Sequence, residues 1–431
     1  VTSSSAFPPS VSQSLSAICT TNWDVVIVGA GPASSAAANK LAQMGWQVLV
    51  LEHRPERSGY GESLPPFSVN LVRDLLSITS ERGYRKAGVR AFPGNKSAWG
   101  NEQLETFDFC THPSGHGLCV DRGLFDQALQ QQASLAGACY LFGAKFSACE
   151  PHPQNGWRVS VQYTSEDADD AVDFATASNI QLRTRYLADA TGRQASVARS
   201  IGIAAQRTDK LCAVVQLYRS ESSSNEPDYT LLEATENGWW YSNLLPDGQH
   251  RIVAFYSDRD LAVTREASTP SGFDALLNHT RHIKTALQPM SFVKCGTLRG
   301  TAACSQRLDS FVANGFVAIG DAAQAYDPLS SQGITKALES GVKAGQLVGY
   351  ALESAPSLDN APEIAKRYME RYATAQERLW QRYQQHYQYF YQMQSRWPKA
   401  EFWQRRSINR HSTHFRSAQH GLHRYGRGER D

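Results

Sequence analysis

Residues 24–37, DVVIVGAGPASSAA, constrain the fold more than any other stretch of the chain. An apolar, β-branched run predicts a strand over 24–28, and the small residues that follow predict a helix over 32–44. A second strand, predicted over 47–51, ends at Glu52, completing a β-α-β unit in about 30 residues. Gly29 permits the tight turn after the first strand, and Gly31 lets backbone approach a pyrophosphate seated on the helix N-terminus. Pro32 suits the first helical position. Ala33 and Ser34 allow close packing of helix on strand, Ser34 standing where a third glycine is usual. Glu52 lies 21 residues past Gly31, where a carboxylate accepts ribose hydroxyls, and His53 and Arg54 follow it at the same strand end.

Almost the whole chain away, residues 315–334 read GFVAIGDAAQAYDPLSSQGI. A buried strand is predicted over 316–319, ending in Gly320-Asp321, whose carboxylate suits a polyol. After the loop at Pro328, Gly333 opens a long helical pattern, and the amides of Gly333 and Ile334 point at an electron-rich ring oxygen. Together the two motifs indicate FAD held across the length of one chain.

At 431 residues the chain holds two or three domains' worth of core, and a formal net charge of +2 gives no argument for a nucleic-acid partner. The apolar runs are short and broken, so no membrane span is expected. Residues 1–22 are Ser/Thr/Pro-rich without a basic region and apolar core, and read as a flexible lead and not a secretory signal. Eight cysteines are scattered with no CxxC pair, which points to reduced thiols in a cytoplasmic enzyme without a metal site.

The domain pattern is discontinuous. Residues 23–90, 117–205 and 296–355 are assigned to the FAD-binding domain, and 91–116 with 206–295 to a substrate domain. The latter reads as an antiparallel sheet, with strands over 213–218, 239–245 and 251–256. A helix is predicted over 121–133. The segment 157–163 alternates and then breaks at an acidic loop, SEDADDA, as a solvated hairpin would. Residues 356–431 form a helical C-terminus with a basic, His-rich tail (Arg405, Arg406, Arg410, His411, His414, Arg416). In its helix, over 363–392, Tyr372, Leu379, Tyr383, Tyr387 and Tyr391 recur at helical spacing. That stripe reads either as packing against the cofactor domain or as a docking surface for a protein substrate.

Three distant segments resemble the hydroxylase branch of the glutathione-reductase-type FAD fold, an α/β, Rossmann-like class. Residues 186–193, YLADATGR, resemble the middle motif of flavin monooxygenases, with Asp189-Ala190 in place of their Asp-Gly. Gly320-Asp321 resembles the motif whose Asp holds the ribityl chain. Arg122 sits where relatives direct an arginine at the ribityl-phosphate region, or it is a solvated helix-start charge. Further segments, GYGESLPP with Glu62 and Ser63, GNKSAWG, GWWYSNLLPDG, DPLSSQGI and RWPKAEFWQRR, are similar to tryptophan-halogenase-like flavoproteins. Within that group the likeness is nearest to the maturases that hydroxylate tryptophan in precursors of tryptophylquinone enzymes.

That resemblance implies an FAD-dependent monooxygenase acting through a flavin C4a-hydroperoxide on a quinoprotein precursor. It uses O2, with NAD(P)H or a separate flavin reductase as electron source. It leaves open a small-molecule hydroxylase or halogenase, a geranylgeranyl-reductase-like enzyme, and a flavin-binding chaperone. Halogenases of the group carry Pro-Leu-Glu-Ser-Thr-Gly where this chain has Pro328-Leu329-Ser330-Ser331-Gln332-Gly333, so the catalytic carboxylate is missing. The sequence identifies no catalytic residue. The pocket candidates are Gln332, Lys96 near the halogenase lysine, and Trp239 and Trp240 as an aromatic lining. For Lys96 a surface strand position, and for the tryptophans plain core packing, are the alternatives. His112 and His116 flank a Pro/Gly loop, as a base or as loop residues.

Overall fold

The computed structural model describes residues 15–54, 61–152, 156–164, 178–224, 228–354 and 361–407. Asn22–Val28 forms the first strand, and Val25, Val26, Ile27 and Val28 are all buried, as in a strand covered on both faces. It pairs in parallel with Val48–Glu52 and with Ser178–Asp189. Phe316–Ala318 and Cys139–Phe142 extend the parallel sheet at either side. The C-terminal strand ends therefore bring Gly29, Glu52, Asp189 and Gly320 to one edge, where open α/β sheets bind ligands.

Pro32–Gln43 packs on this sheet and is crossed by the 22-residue helix Gly333–Ser354. The two backbones come close enough that a Cβ on Gly341 would stand 2.2 Å from the carbonyl oxygen of Ala33. Trp157–Tyr163 pairs antiparallel with both Ala144–Pro151 and Ser178–Asp189, so the hairpin extends the main sheet. The acidic loop after it lies outside the described residues.

A second sheet of seven strands runs in the order Val293–Ala302, Leu211–Arg219, His250–Asp258, Gly238–Leu244, Thr230–Thr235, Gly94–Ala98 and Glu105–Asp108. Val293–Ala302 belongs to this sheet through its pairing with Leu211–Arg219, whereas the sequence pattern assigned residues from 296 onward to the cofactor domain. Gly296 and Gly300 interrupt the alternation that would have marked a strand there. One face of this sheet, with Val214, Trp240, Val253 and Phe255, is covered by Phe273, Leu277 and Ile283. The other, with Ala213, Trp239 and Ala254, meets Leu329 and the C-terminal residues Tyr391, Phe402 and Trp403.

The long helix Ala361–Met393 spans both sheets. Tyr372 is fully buried and donates to the carbonyl oxygen of Ala318 at 2.9 Å, while Tyr391 is buried against the second sheet. A short helix, Glu401–Ser407, follows, latched by the buried ion pair Arg406–Asp258 at 2.7 Å. The aromatic stripe is thus mainly core; Tyr389, Phe390 and Met393 at its end are exposed. Residues 408–431, with most of the basic tail, lie outside the described residues. At the other terminus, Leu15–Thr20 is helical where the sequence reads as a flexible lead, and Ile18 accepts the Trp23 indole N–H at 3.1 Å.

Candidate active site

The first turn has the geometry of a close backbone cradle. Gly29 holds φ +99°, and a Cβ there would lie 2.4 Å from the carbonyl oxygen of Ala190, so the turn admits no side chain. Gly31 caps the helix that starts at Pro32, leaving its first amides toward the sheet edge. Glu52 is buried at the end of its strand; its oxygens accept the amides of Ala30 at 3.0 Å and Arg54 at 3.2 Å. Arg54 donates to the ring of His53 at 3.1 Å, and His53 stands 3.1 Å from Glu52. Gln130, which no motif marks, fixes the turn from outside by donating to the Ala30 carbonyl at 2.8 Å. On the first turns of the two facing helices, the fully buried hydroxyls of Ser34 and Thr335 have no hydrogen-bond partner among the described residues. Orphan hydroxyls beside free helix amides fit a polar ligand laid across the crevice. Ala33 is taken up by packing against Gly320 and Gly341.

At the far end of the crevice Asp321 pairs with Arg193 at 2.9 Å. Arg193 also donates to the carbonyls of Tyr326 and Cys304, and Gln306 donates to its backbone oxygen at 2.7 Å. Arg193 closes the YLADATGR motif, and its position after Thr191-Gly192 is the one signal the sequence carries for it. Asp189 differs from expectation. It is fully buried, and its carboxylate accepts from the Thr191 amide and hydroxyl and from the Ala198 amide. It shapes the loop that presents Arg193, and its oxygens face inward.

Glu62 and Ser63 stand where the two sheets meet. Arg122 divides its guanidinium between Glu62 at 2.8 Å and the buried Asp126 at 2.8 Å, and these two carboxylates hold it firmly protonated against the cost of burial. Ser63 accepts the Tyr241 hydroxyl at 3.2 Å, joining the second sheet to the cofactor domain.

The turn after Tyr326 is held by one acid. Asp327 caps Pro328–Ser330 by accepting the Leu329 amide at 2.9 Å. It also accepts the Tyr391 hydroxyl at 2.8 Å, and Tyr391 in turn accepts the indole N–H of Trp239 at 3.2 Å. The Asp327 amide donates to Tyr383 at 3.0 Å. Burial, and then the nearby Asp209, push the Asp327 carboxyl up to about 7. Ser330 turns its hydroxyl back to the Asp327 carbonyl at 2.9 Å, Ser331 sits at φ +49°, and the Gln332 carbonyl accepts the Lys336 amide at 2.8 Å. Gly333 and Ile334 then open the helix, with nothing within 4 Å of where a Gly333 Cβ would stand.

Two pocket expectations fail on strand periodicity. Trp239 and Trp240 are neighbours on one strand and point to opposite faces; both are buried, so they cannot share a lining. Trp239 stacks on Tyr256 at 3.9 Å on the face toward Asp327, and Trp240 packs into the helices behind the sheet. Lys96 pairs with Leu231, on the Trp240 face, and lays its ammonium over the Tyr229 ring at 4.4 Å. It therefore faces away from the cofactor side. His112 accepts the Ser114 amide at 3.1 Å within its own turn. All eight cysteines are free, and no cluster of metal-ligating side chains occurs among the described residues. No helix there is long and apolar enough to cross a membrane.

Residues 22–357 match the family of the FAD binding domain. The chain belongs to that family. It is an FAD-dependent oxidoreductase. LodB of Marinomonas mediterranea, assigned as an FAD-dependent oxidoreductase, is 26% identical over 89% of this chain and 97% of its own length. In structure, the myxobacterial chondrochloren halogenase CndH superposes with a TM-score of 0.76 at 24% identity, over 90% of this chain and 87% of that one. The peptidyl tryptophan dihydroxylase QhpG does so at 0.62 and 20% identity, over 90% and 79%. A digeranylgeranylglycerophospholipid reductase and a carrier-protein-bound pyrrole brominase are also relatives, so likeness alone does not select the reaction.

Proposed function

We propose that this enzyme inserts oxygen into the indole ring of a tryptophan in a partner protein during formation of a tryptophylquinone cofactor. The observation that carries the reading is the turn at 328–333. Where halogenases place a carboxylate, Ser330 has its hydroxyl committed to the Asp327 carbonyl, and the neighbouring acid, Asp327, is spent on the Leu329 amide and the Tyr391 hydroxyl. A prenyl-chain reductase would want an aliphatic channel, whereas the sheet face toward this turn carries the hydroxyls of Tyr241 and Tyr256. A fold shared with a peptidyl tryptophan dihydroxylase supports a protein-bound substrate.

Bound FAD supplies the activation of O2. Gly29, Gly31, Glu52, Asp321 and the amides of Gly333 and Ile334 would hold it, while Asp189 and Gln130 keep their loops in place. In the overall reaction a ring C–O bond forms and the ring C–H proton leaves on rearomatisation. The second oxygen atom goes to water with two electrons from NAD(P)H, delivered directly or by a separate flavin reductase. We place the enzyme in the cytoplasm, where its free thiols stay reduced. Co-expression with a quinoprotein precursor, followed by mass spectrometry of its tryptophans, tests this. Added oxygen supports the reading; an unmodified precursor beside an O2-consuming enzyme overturns it.

A further inference from the structure

Resting on the reading of a protein-bound substrate, we infer that one exposed stripe of the long helix Ala361–Met393 is the docking surface for an acidic segment of the partner protein. The stripe consists of Arg367, Arg371, Arg378, Arg382, Tyr389 and Met393, which recur at alternating spacings of four and seven residues. With about 3.6 residues per turn, that spacing keeps all six within about 80° of one another around the helix axis. All six are exposed, and Trp380 and Tyr391 are buried on the opposite side.

The four arginines form no ion pair or hydrogen bond among the described residues. Acids beside them on the same helix are already taken: Glu370 pairs with Lys366 at 3.9 Å and Glu377 with Arg307 at 2.8 Å. Lys343, exposed on the facing helix Gly333–Ser354, adds a fifth unpaired cation. It stands across a groove of about 370 Å3 that Arg378 and Arg382 border. The carboxylate in that groove, Glu339, is held by Lys336 at 2.7 Å. Five cations without counter-ions are thus gathered on one surface of a chain whose formal net charge is only +2.

Charge decides the occupant. Guanidinium groups pair best with carboxylates, and single exposed pairs are weak, so a row of them complements a run of Asp and Glu. Arg367 to Arg382 covers about 22 Å and the whole stripe about 39 Å, the reach of about 12 extended residues. A second copy of this chain would bring its own arginines against these and be repelled. The end at Tyr389 and Met393 favours a protein over a nucleic-acid backbone, since arginine beside tyrosine and methionine is the composition of protein interfaces. That end is also rigid, because the adjacent Phe390 carbonyl accepts the Trp99 indole N–H at 2.7 Å. A segment bound there is held on the same helical turn as Tyr391, whose hydroxyl fixes Asp327 and with it the turn at 328–333.

The test uses the full FAD-loaded chain and the fluorescence anisotropy of a labelled peptide of about 12 residues, an alternating Asp/Glu run closed by leucines. Its Asn/Gln counterpart and a labelled DNA duplex are the comparison probes. The wild-type protein should bind the acidic peptide at least tenfold more tightly than the Asn/Gln peptide, and at least fivefold more weakly at high salt than at low salt. Arg371→Gln, Arg378→Gln and Arg382→Gln combined should weaken binding at least tenfold, with FAD content and melting temperature unchanged. Tyr389→Ser with Met393→Ser should weaken it at least threefold. Arg82→Gln, Arg85→Gln and Lys86→Gln combined, which remove the same charge from the exposed helix Glu81–Lys86, should change it less than twofold. Equal losses in the two triple variants, equal or absent binding of the two peptides, or tighter binding of the duplex overturns the proposal. In co-expression with a quinoprotein precursor, the arginine triple variant should lower the oxygenated fraction at least fivefold, and an undiminished fraction overturns it as well. A precursor left unmodified by the wild-type protein defeats the oxygenation reading instead, and the peptide arm still decides the docking surface.

Discussion

The hydroxyl of Tyr391 donates to Asp327 at 2.8 Å and thereby ties the long C-terminal helix to the turn that precedes Gly333. The carboxyl it meets is 2% exposed, at the start of a turn that also binds the Leu329 amide. A helix outside the matched family region consequently sets the shape of the cofactor-side loop.

Asp327 makes stability depend on pH in a definite direction. Its carboxyl is pushed by burial from 3.8 to about 7 in the folded protein, so between these values the native state holds a proton that the unfolded chain has released. That contribution is full below pH 4 and is lost as pH rises through 7, at most about 4 kcal/mol from 1.36 kcal/mol per unit. Asp327→Asn keeps an acceptor for the Leu329 amide and cannot ionise. Urea unfolding midpoints of the wild type should fall between pH 5 and pH 8 more steeply than those of the variant. Parallel profiles would show that Asp327 is ionised throughout.

Gly341 and Gly333 separate packing from binding. A Cβ at Gly341 meets the Ala33 carbonyl oxygen at 2.2 Å, so Gly341→Ala must push two helices apart, at a cost of about 1–3 kcal/mol. The same change at Gly333 meets nothing and should leave stability within about 0.5 kcal/mol. Gly333 borders the crevice, however, and its substitution should lower FAD retention on dialysis. Thermal melts and flavin absorbance, measured on both variants, distinguish the two effects.

The parallel sheet and both cofactor motifs were readable because their signals are local: β-branched runs, a glycine turn, a strand ending in Gly-Asp. Trp239-Trp240 misled because a shared lining was inferred from adjacency, and strand alternation sends neighbours to opposite faces. Lys96 misled for a related reason, since the face of a lysine depends on its register with Leu231, which no local pattern states. The inward turn of Asp189 follows from the Ala198 amide nine residues later. The roles of Arg193 and Gln130 carry no local signature because they arise only when distant elements meet.

Lys96 and Trp240 share one face of the second sheet but differ in burial, and their substitutions should differ accordingly. Lys96→Met removes a cation whose contact is the Tyr229 ring, so oxygenation rates should stay within twofold of wild type. A loss of tenfold or more would return Lys96 to the active site. Trp240→Ala deletes a side chain packed against Phe255 and Phe273 and should cost about 3–5 kcal/mol in chemical denaturation. Surviving folded protein should still retain FAD.

Arg193 and Asp321 offer the sharpest test of the crevice. The pair is partly buried, 27% exposed on either side, and Arg193 is further fixed by the Tyr326 and Cys304 carbonyls. Asp321→Asn removes the charge while keeping the shape, leaving the guanidinium without its counter-ion. If Asp321 holds the ribityl hydroxyls, FAD affinity should drop tenfold or more, about 1.4 kcal/mol per tenfold. Arg193→Met should weaken FAD less, because it acts by aiming Asp321. The double variant should then lose less affinity than the sum of the single losses, as contacting residues do. Equilibrium dialysis with flavin fluorescence supplies all four affinities. Strict additivity would show that the two side chains act on the cofactor independently, and an unchanged affinity in Asp321→Asn would remove it from the binding site.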